Sequence, residues 1–374
     1  MSRFKNLIIK TSERGVSWML RRLYQEILIP STPFSEMINT IIFTPIRIKK
    51  KIFPNKNDTL YFVWDLRIAP ITFDFFWGIA IANCQLQEKR LRKLHVIILY
   101  EIGRLREEEK DYSDAVTLKQ RLARIENLLL TSCQIIKNIN FSILSKSEAK
   151  QKLIKKIVFP TNYYVNFPTY ISSKDYRILN NKNYNLDILK KEKKFINKAQ
   201  KWLLIKNKKS TKTITISIRD YKFKPYRNSN FQEWSRVYKK LKELKYRVVI
   251  IPDSESETDL TKYFDKKDIY FESSNNLSLK IGCYFNSILN LFVDGGASTP
   301  CIFSSLPYII FNIIPPESKE YSEKLLSDRN FKLNTSPSFL KKNQYWVWEQ
   351  DKFDTIMNAI NLFFKDNNLK TIIK

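Results

Sequence analysis

Leu289-Asn290-Leu291-Phe292-Val293-Asp294-Gly295-Gly296-Ala297-Ser298-Thr299 decides how this chain folds. A short, mostly apolar run ends at an acid and two adjacent glycines. Small residues that suit the start of a helix follow. Such a run, bounded by turn residues, reads as a strand buried on both faces of a parallel sheet. The chain has only six glycines, and two stand together here. Glycine lets backbone approach a ligand closely and permits positive φ. The turn and helix start after it would offer free N–H groups. An ordinary tight turn would read the same way.

The pattern repeats on either side. Apolar, β-branched runs at 213–218, 247–251, 269–271 and 308–314 predict further strands. Helical spacing at 231–244, 277–287, 298–305 and 352–365 fills the gaps between them. Asn230 with Glu233 three residues on is a helix-start signature. Five strands alternating with helices predict an α/β domain over residues 210–374 with a parallel, doubly wound sheet. The stretch 281–316 carries one charged side chain, Asp294. It is broken by Asn286, Ser287, Asn290, Gly295, Gly296, Pro300 and Pro307, so it reads as buried strands and a helix rather than a membrane span.

Towards the N-terminus, 59–64 and 94–100 predict strands and 157–159 a third. A helix is expected at 73–82 and a long one at 111–131. Residues 58–170 thus form a first α/β lobe. Residues 171–209, rich in Lys and Asn with one helix at 186–205, form the connection to the second. Residues 1–57 form a basic helical extension, with eleven Lys and Arg against three acids. Val16, Leu20, Leu23, Ile27 and their neighbours recur there at helical spacing. That stripe fits either a helix on an anionic membrane surface or one packed on the enzyme body.

The 374 residues carry a net charge of +28. A surplus of that size admits nucleic acid, anionic lipid or an anionic substrate, and also drift in Lys-rich composition. Four scattered cysteines and a single histidine, His95, exclude a Cys/His metal site and a disulfide framework, which points to a reducing, cytoplasmic setting. Neither a Walker sequence nor G-x-G-x-x-G occurs.

Ligands of doubly wound sheets bind beyond the carboxyl ends of the strands. Three loops lie there. Arg219-Asp220 leads to Lys222, Lys224, Arg227 and Asn228, whose cations and amide suit a phosphate at a helix start. Pro252-Asp253-Ser254-Glu255 could hold ribose hydroxyls or cap a helix. Asp294, Gly295, Gly296, Ala297 and Ser298 form the third. In the first lobe, Asp65, Arg67 and Asp74 are acid–base candidates. His95 begins a strand, the wrong end for a site, and reads as structural.

At these motifs the chain resembles the GT-B-fold glycosyltransferases, in particular bacterial heptosyltransferase- and fucosyltransferase-type enzymes. The residues that carry the resemblance are Ile216-Ser217-Ile218-Arg219-Asp220 with Arg227-Asn228-Ser229-Asn230, then Ile250-Ile251-Pro252-Asp253-Ser254-Glu255, then Val293-Asp294-Gly295-Gly296-Ala297-Ser298. The resemblance implies two Rossmann-like lobes facing a central cleft and sugar transfer from a nucleotide-activated donor to a cell-surface glycan or lipid-linked acceptor. It places the donor diphosphate on Arg219 or Arg227 and on the loop Gly295–Ser298. It implies no metal and no cofactor, the nucleotide-sugar being a substrate. Arg219 would then offset leaving-group charge, and Asp65 or Asp74 would be the base. The expected setting is cytoplasmic, peripheral at the inner face of the membrane through residues 1–57. Two other readings stand beside this one. A basic nucleic-acid-binding protein is disfavoured unless its cations form one broad stripe, and the third is an inactive GT-B-like partner protein.

Overall fold

The computed structural model describes residues 58–108, 110–206, 212–254, 256–313 and 323–369, with scattered positions between 11 and 44. Glu255 and most of the basic extension lie outside the described residues. The chain divides into two compact units. One holds Met1–Ala69, Leu86–Glu107 and Asn140–Ser172; the other holds Pro70–Gln85, Glu108–Ile139 and Ser173–Lys374. Segments 70–85 and 108–139, read from the sequence as parts of the N-terminal lobe, thus pack with the C-terminal half.

The first unit contains a four-stranded sheet. Its strands are β1 (Thr59–Asp65), β2 (Lys93–Leu99), β3 (Ile139–Leu144) and β4 (Ile157–Phe159), in the order β3-β2-β1-β4. β1 pairs in parallel with both β2 and β4. Val63, Ile97, Leu99 and Tyr163 form a core on it. His95, on β2, meets Ser142 Oγ through Nε2 at 2.9 Å and stacks near Tyr61. It is a structural residue, as its place at the start of a strand suggested.

The second unit is built on β5 (Thr213–Ser217), β6 (Arg247–Ile251), β7 (Leu289–Val293), β8 (Tyr308–Phe311) and β9 (Gln344–Trp346). Their order is β6-β5-β7-β8-β9, every pair parallel. β5, β6, β7 and β8 are buried at every residue, which explains their unbroken apolar runs. Helix Phe231–Glu243 starts on Asn230, whose side chain accepts from Glu233 N. Its Trp234, Val237 and Leu241 share one core with Ile356, Ile360 and Phe363 of helix Phe353–Asp366. Helix Lys193–Lys206 packs on helix Leu277–Phe285, where a Cβ on Gly282 would run into the Phe195 carbonyl. The α/β class with two parallel sheets read from the sequence is the one observed.

Two expected elements are replaced. Residues 269–271 make a single bridge, Ile250 to Ile269, before a 3-10 turn at Phe271–Ser273. The fifth strand is β9 instead. The long helix expected at 111–131 is broken into Lys110–Ala115, Leu118–Arg124, a π-helical turn at Ile125–Leu130 and Thr131–Ile135. Thr117 breaks it, because it forms a reciprocal capping box with Gln120 and so starts a new helix.

Candidate functional site

The chain turns around in sheet order between β5 and β7: β6 lies on one side of β5, while β7, β8 and β9 follow on the other. That reversal is the switch point at which doubly wound sheets open a crevice. A cleft of about 1130 Å³ lies there, wholly within the second unit. Its wall takes residues from the carboxyl end of each strand of this sheet: Ser217 and Arg219 after β5, Pro252 and Asp253 after β6, Asp294 to Ser298 after β7, Ile313 after β8 and Trp348 after β9.

Arg219 and Gly295, 76 positions apart in sequence, meet in this cleft. A Cβ on Gly295 would sit 3.4 Å from Arg219 Cδ. The Arg219 guanidinium is held from behind by its own loop. Nη2 donates to the Phe223 carbonyl (3.0 Å), and Nη1 donates to the Lys224 carbonyl (3.3 Å) and to Asn228 Oδ1. Asn228 also accepts from Tyr221 N (3.1 Å) and donates to the Tyr221 carbonyl (3.1 Å). Asn228, expected to touch donor, is therefore a staple that holds Arg219, and it does not line the cleft.

Arg227 enters from the same loop. Its Nη2 lies 2.7 Å from Asp294 Oδ2, which ties the loop after β5 to the loop after β7. Burial, then the Arg227 charge, pushes the Arg219 guanidinium down to about 10, while Asp253 and Asp294 oppose the shift. A guanidinium keeps its proton at neutral pH. Arg219 thus remains a partly desolvated cation with a second one, ion-paired to Asp294, near it, and an anion bound there would offset that cost. Across the whole cleft, seven Lys and Arg side chains stand against three Asp.

The glycines differ from expectation. Gly295 has φ 176°, an extended conformation open to any residue, so positive φ is not its purpose. A Cβ there would stand at ordinary contact distance from Arg219, so space does not demand a glycine either. A Cβ on Gly296 would clash with the Phe73 side chain. Ser298 spends its hydroxyl on the Gly295 carbonyl (2.8 Å), and Ala297 lines the cleft. The helix that follows, Thr299–Ile302, has only four residues, so the N–H groups and dipole expected of a helix start are those of a short turn.

Asp253 lines the cleft too. It accepts from Ser254 N (2.7 Å) and Asp220 N (3.3 Å), which fits the loop-capping reading of that acid. Asp220 is turned away onto Ser256 Oγ (2.7 Å) and Thr258 N (3.0 Å).

The two base candidates separate. Asp65 is 2% exposed and accepts from Arg67 Nε (2.9 Å), Arg67 Nη2 (2.6 Å), Arg67 N (3.1 Å) and Tyr163 Oη (2.8 Å). Burial opposes the Arg67 charge, but the Asp65 carboxylate outweighs it and holds Arg67 above its ordinary range. Asp65 is a knot in the first unit's core, with its lone pairs spent. Asp74 begins helix Asp74–Glu88, is exposed and lines the cleft; its carboxylate accepts from Thr72 Oγ1 at 2.9 Å.

Some lining residues carried no sequence signal. Arg124 donates to Tyr112 Oη (2.8 Å) and Tyr221 Oη (3.1 Å), and Tyr221 stands between the guanidiniums of Arg124 and Arg219. Trp77, Tyr176, Trp346 and Trp348 line another stretch of the wall, together with Arg329. Among the described residues no group of His, Cys, Asp and Glu could hold a metal ion.

The site therefore defines an α/β protein with a basic cleft at a sheet switch point, suited to a polyanionic ligand. The chain matches no protein-family model and no curated protein. Among solved structures it is similar to a glycosyl transferase family 9 protein from Veillonella parvula DSM 2008, at 8% identity and TM-score 0.43, covering 82% of this chain and 97% of that one. It is also similar to E. coli ADP-heptose LPS heptosyltransferase II, at 7% identity and TM-score 0.46, covering 83% and 99%.

Proposed function

We propose that this protein is a glycosyltransferase that takes a sugar from a nucleotide-activated donor and places it on a cell-surface glycan or lipid-linked acceptor. The observation that carries the reading is the meeting of Arg219 and Gly295, with Arg227 beside them, at the switch point of one sheet. A nucleoside diphosphate brings negative charge to a cleft whose cations outnumber its carboxylates. As the anomeric carbon–phosphate oxygen bond breaks, charge grows on the diphosphate. Arg219 and Arg227 are already oriented towards it by Asn228 and Asp294. Preorganised charge of this kind stabilises the transition state more than the ground state. Asp74 takes the proton from the acceptor hydroxyl as its oxygen bonds to the anomeric carbon. In this reading Arg219 and Arg227 neutralise the leaving group, the role a metal ion would otherwise fill. Gathering the cations into a cleft suits a small polyanion better than a nucleic-acid backbone.

The basic extension has a proposed role as well. Val16, Leu20 and Leu23, at helical spacing, are 61%, 59% and 46% exposed. An exposed apolar stripe within a segment of net positive charge suits the interface of an anionic bilayer. A chain lacking residues 1–50 should lose liposome binding and keep its fold; unchanged binding rejects this role. No described helix is long and apolar enough to cross a membrane.

The enzyme reading is tested by thermal denaturation with nucleoside diphosphates and their sugars. At a hundredfold excess over the dissociation constant a ligand adds about 2.7 kcal/mol, a shift of several degrees. A flat melting temperature with all of them rejects the reading.

A further inference from the structure

The cleft exceeds the roughly 300–1,000 Å³ of a usual small-molecule pocket. One stretch of its wall differs in chemistry from the Arg219 loop. Two residues after helix Glu323–Asp328, Asn330 with a φ of 59° turns the chain back. Arg329 is fixed there through its backbone: its N–H reaches the Leu325 and Leu326 carbonyls (3.1 Å each), and its carbonyl accepts from Asn180 (3.4 Å). The side chain lies over the Tyr176 ring, 4.3 Å from guanidinium carbon to centroid. No carboxylate among the described residues pairs with it, and its Nε is buried without a hydrogen-bond partner. Trp348 Nε1, on the same cleft, is likewise buried and unsatisfied.

Other rings adjoin Tyr176 on this side of the cleft. Trp77 lies 5.7 Å from Tyr176 and 6.4 Å from Phe331, and Trp346 lies 6.4 Å from Phe331. Asp74, three positions before Trp77 on the same helix, lines the cleft together with Tyr176 and Arg329. A guanidinium stacked on an aromatic ring recognises carboxylate or phosphate groups, and flat rings take the C–H face of a sugar. A buried donor without an acceptor is a cost that a ligand can remove.

We infer that Arg329 and Trp348, with Trp77 and Trp346 as stacking faces, form an acceptor subsite for a sugar that carries a negative charge, either a carboxylate or a phosphate ester. The assignment of this subsite to the acceptor rests on the glycosyltransferase reading; its preference for an acidic sugar does not. Seated there, the acceptor brings its hydroxyl to the neighbourhood of Asp74.

Saturation-transfer NMR and tryptophan fluorescence titrations on the full chain test this without turnover. The probes are methyl β-glucuronide, glucose 6-phosphate and methyl β-glucoside. The two acidic probes should bind at least about tenfold more tightly than the neutral one, and whichever is tighter identifies the charged group. Arg329→Gln should remove that preference, Arg329→Lys should retain part of it, and Trp348→Phe should weaken all three while keeping the ring. Circular dichroism establishes that each variant is folded. Equal binding of acidic and neutral probes, or an acidic preference that survives Arg329→Gln, overturns the inference. Nucleoside diphosphate binding is read separately. Its absence would remove the transferase reading and leave the Arg329 site standing, and the reverse pattern would do the opposite.

Discussion

Replacing Arg219 by glutamine removes the charge at the centre of the site while keeping a polar side chain. The arginine serves three acceptors: the Phe223 carbonyl, the Lys224 carbonyl and Asn228 Oδ1. Glutamine has two amide donors on a shorter stem, so at least one acceptor loses its partner, at a cost of about 1–3 kcal/mol. Against this, the variant no longer buries a cation facing Arg227. These effects oppose each other, and the net change in stability should stay below about 2 kcal/mol. Binding has no such compensation. A hydrogen bond from a charged donor contributes about 1.5–3 kcal/mol, so nucleoside diphosphate affinity should fall roughly 10- to 150-fold. Isothermal titration of wild type and Arg219→Gln, with urea unfolding of both, measures the two numbers. A folded variant that binds within threefold of wild type would refute the reasoning.

Gly296→Ala should destabilise by about 1–3 kcal/mol, because the new methyl overlaps the Phe73 ring and something must shift; Gly295→Ala, at ordinary contact from Arg219, should cost less, and urea midpoints compare them. The two carboxylates should part company. Asp74→Asn should lower turnover about a hundredfold or more and leave nucleoside diphosphate binding intact, whereas Asp65→Asn should cost several kcal/mol of stability by stranding Arg67. His95, the one histidine, gives an unobstructed NMR titration. Burial, then the Lys152 charge, lowers its pKa below 6.5. The unfolded chain then takes up this proton first, so the contribution of neutral His95 is complete above about pH 6.5 and is lost on acidification through the folded value. A midpoint above 6.5 would contradict that environment.

What the sequence revealed depended on what each residue had to satisfy. β5 to β8 are covered on both faces, so their burial had to be written as unbroken apolar runs. β9 is three residues long and opens with Gln344, whose side-chain amide is satisfied by the carbonyl of Ser304 (2.9 Å); nothing in its local pattern marks a strand. The glycine pair was legible as special, but its reason was not. Gly296 is small because of Phe73, more than 200 positions away, and no local turn rule contains that contact. Arg219 was legible because it follows a strand, while Asn228 looked like a ligand residue until its amide was seen spent on Arg219 and Tyr221. Arg329 lies between β8 and β9, and Trp348 between β9 and the final helix, in stretches without periodicity. Only the folded chain brings them to the cleft. Asp65 and Asp74 looked alike in sequence and differ in what surrounds them, a bidentate arginine and a tyrosine in one case and open cleft in the other.

The most direct test of the account is a crystal structure of the protein with a nucleoside diphosphate bound. The account predicts the diphosphate between the guanidiniums of Arg219 and Arg227 and against the backbone of Gly295 to Ser298, at the carboxyl ends of β5 and β7. A diphosphate bound elsewhere, with the switch-point cleft empty, would contradict it.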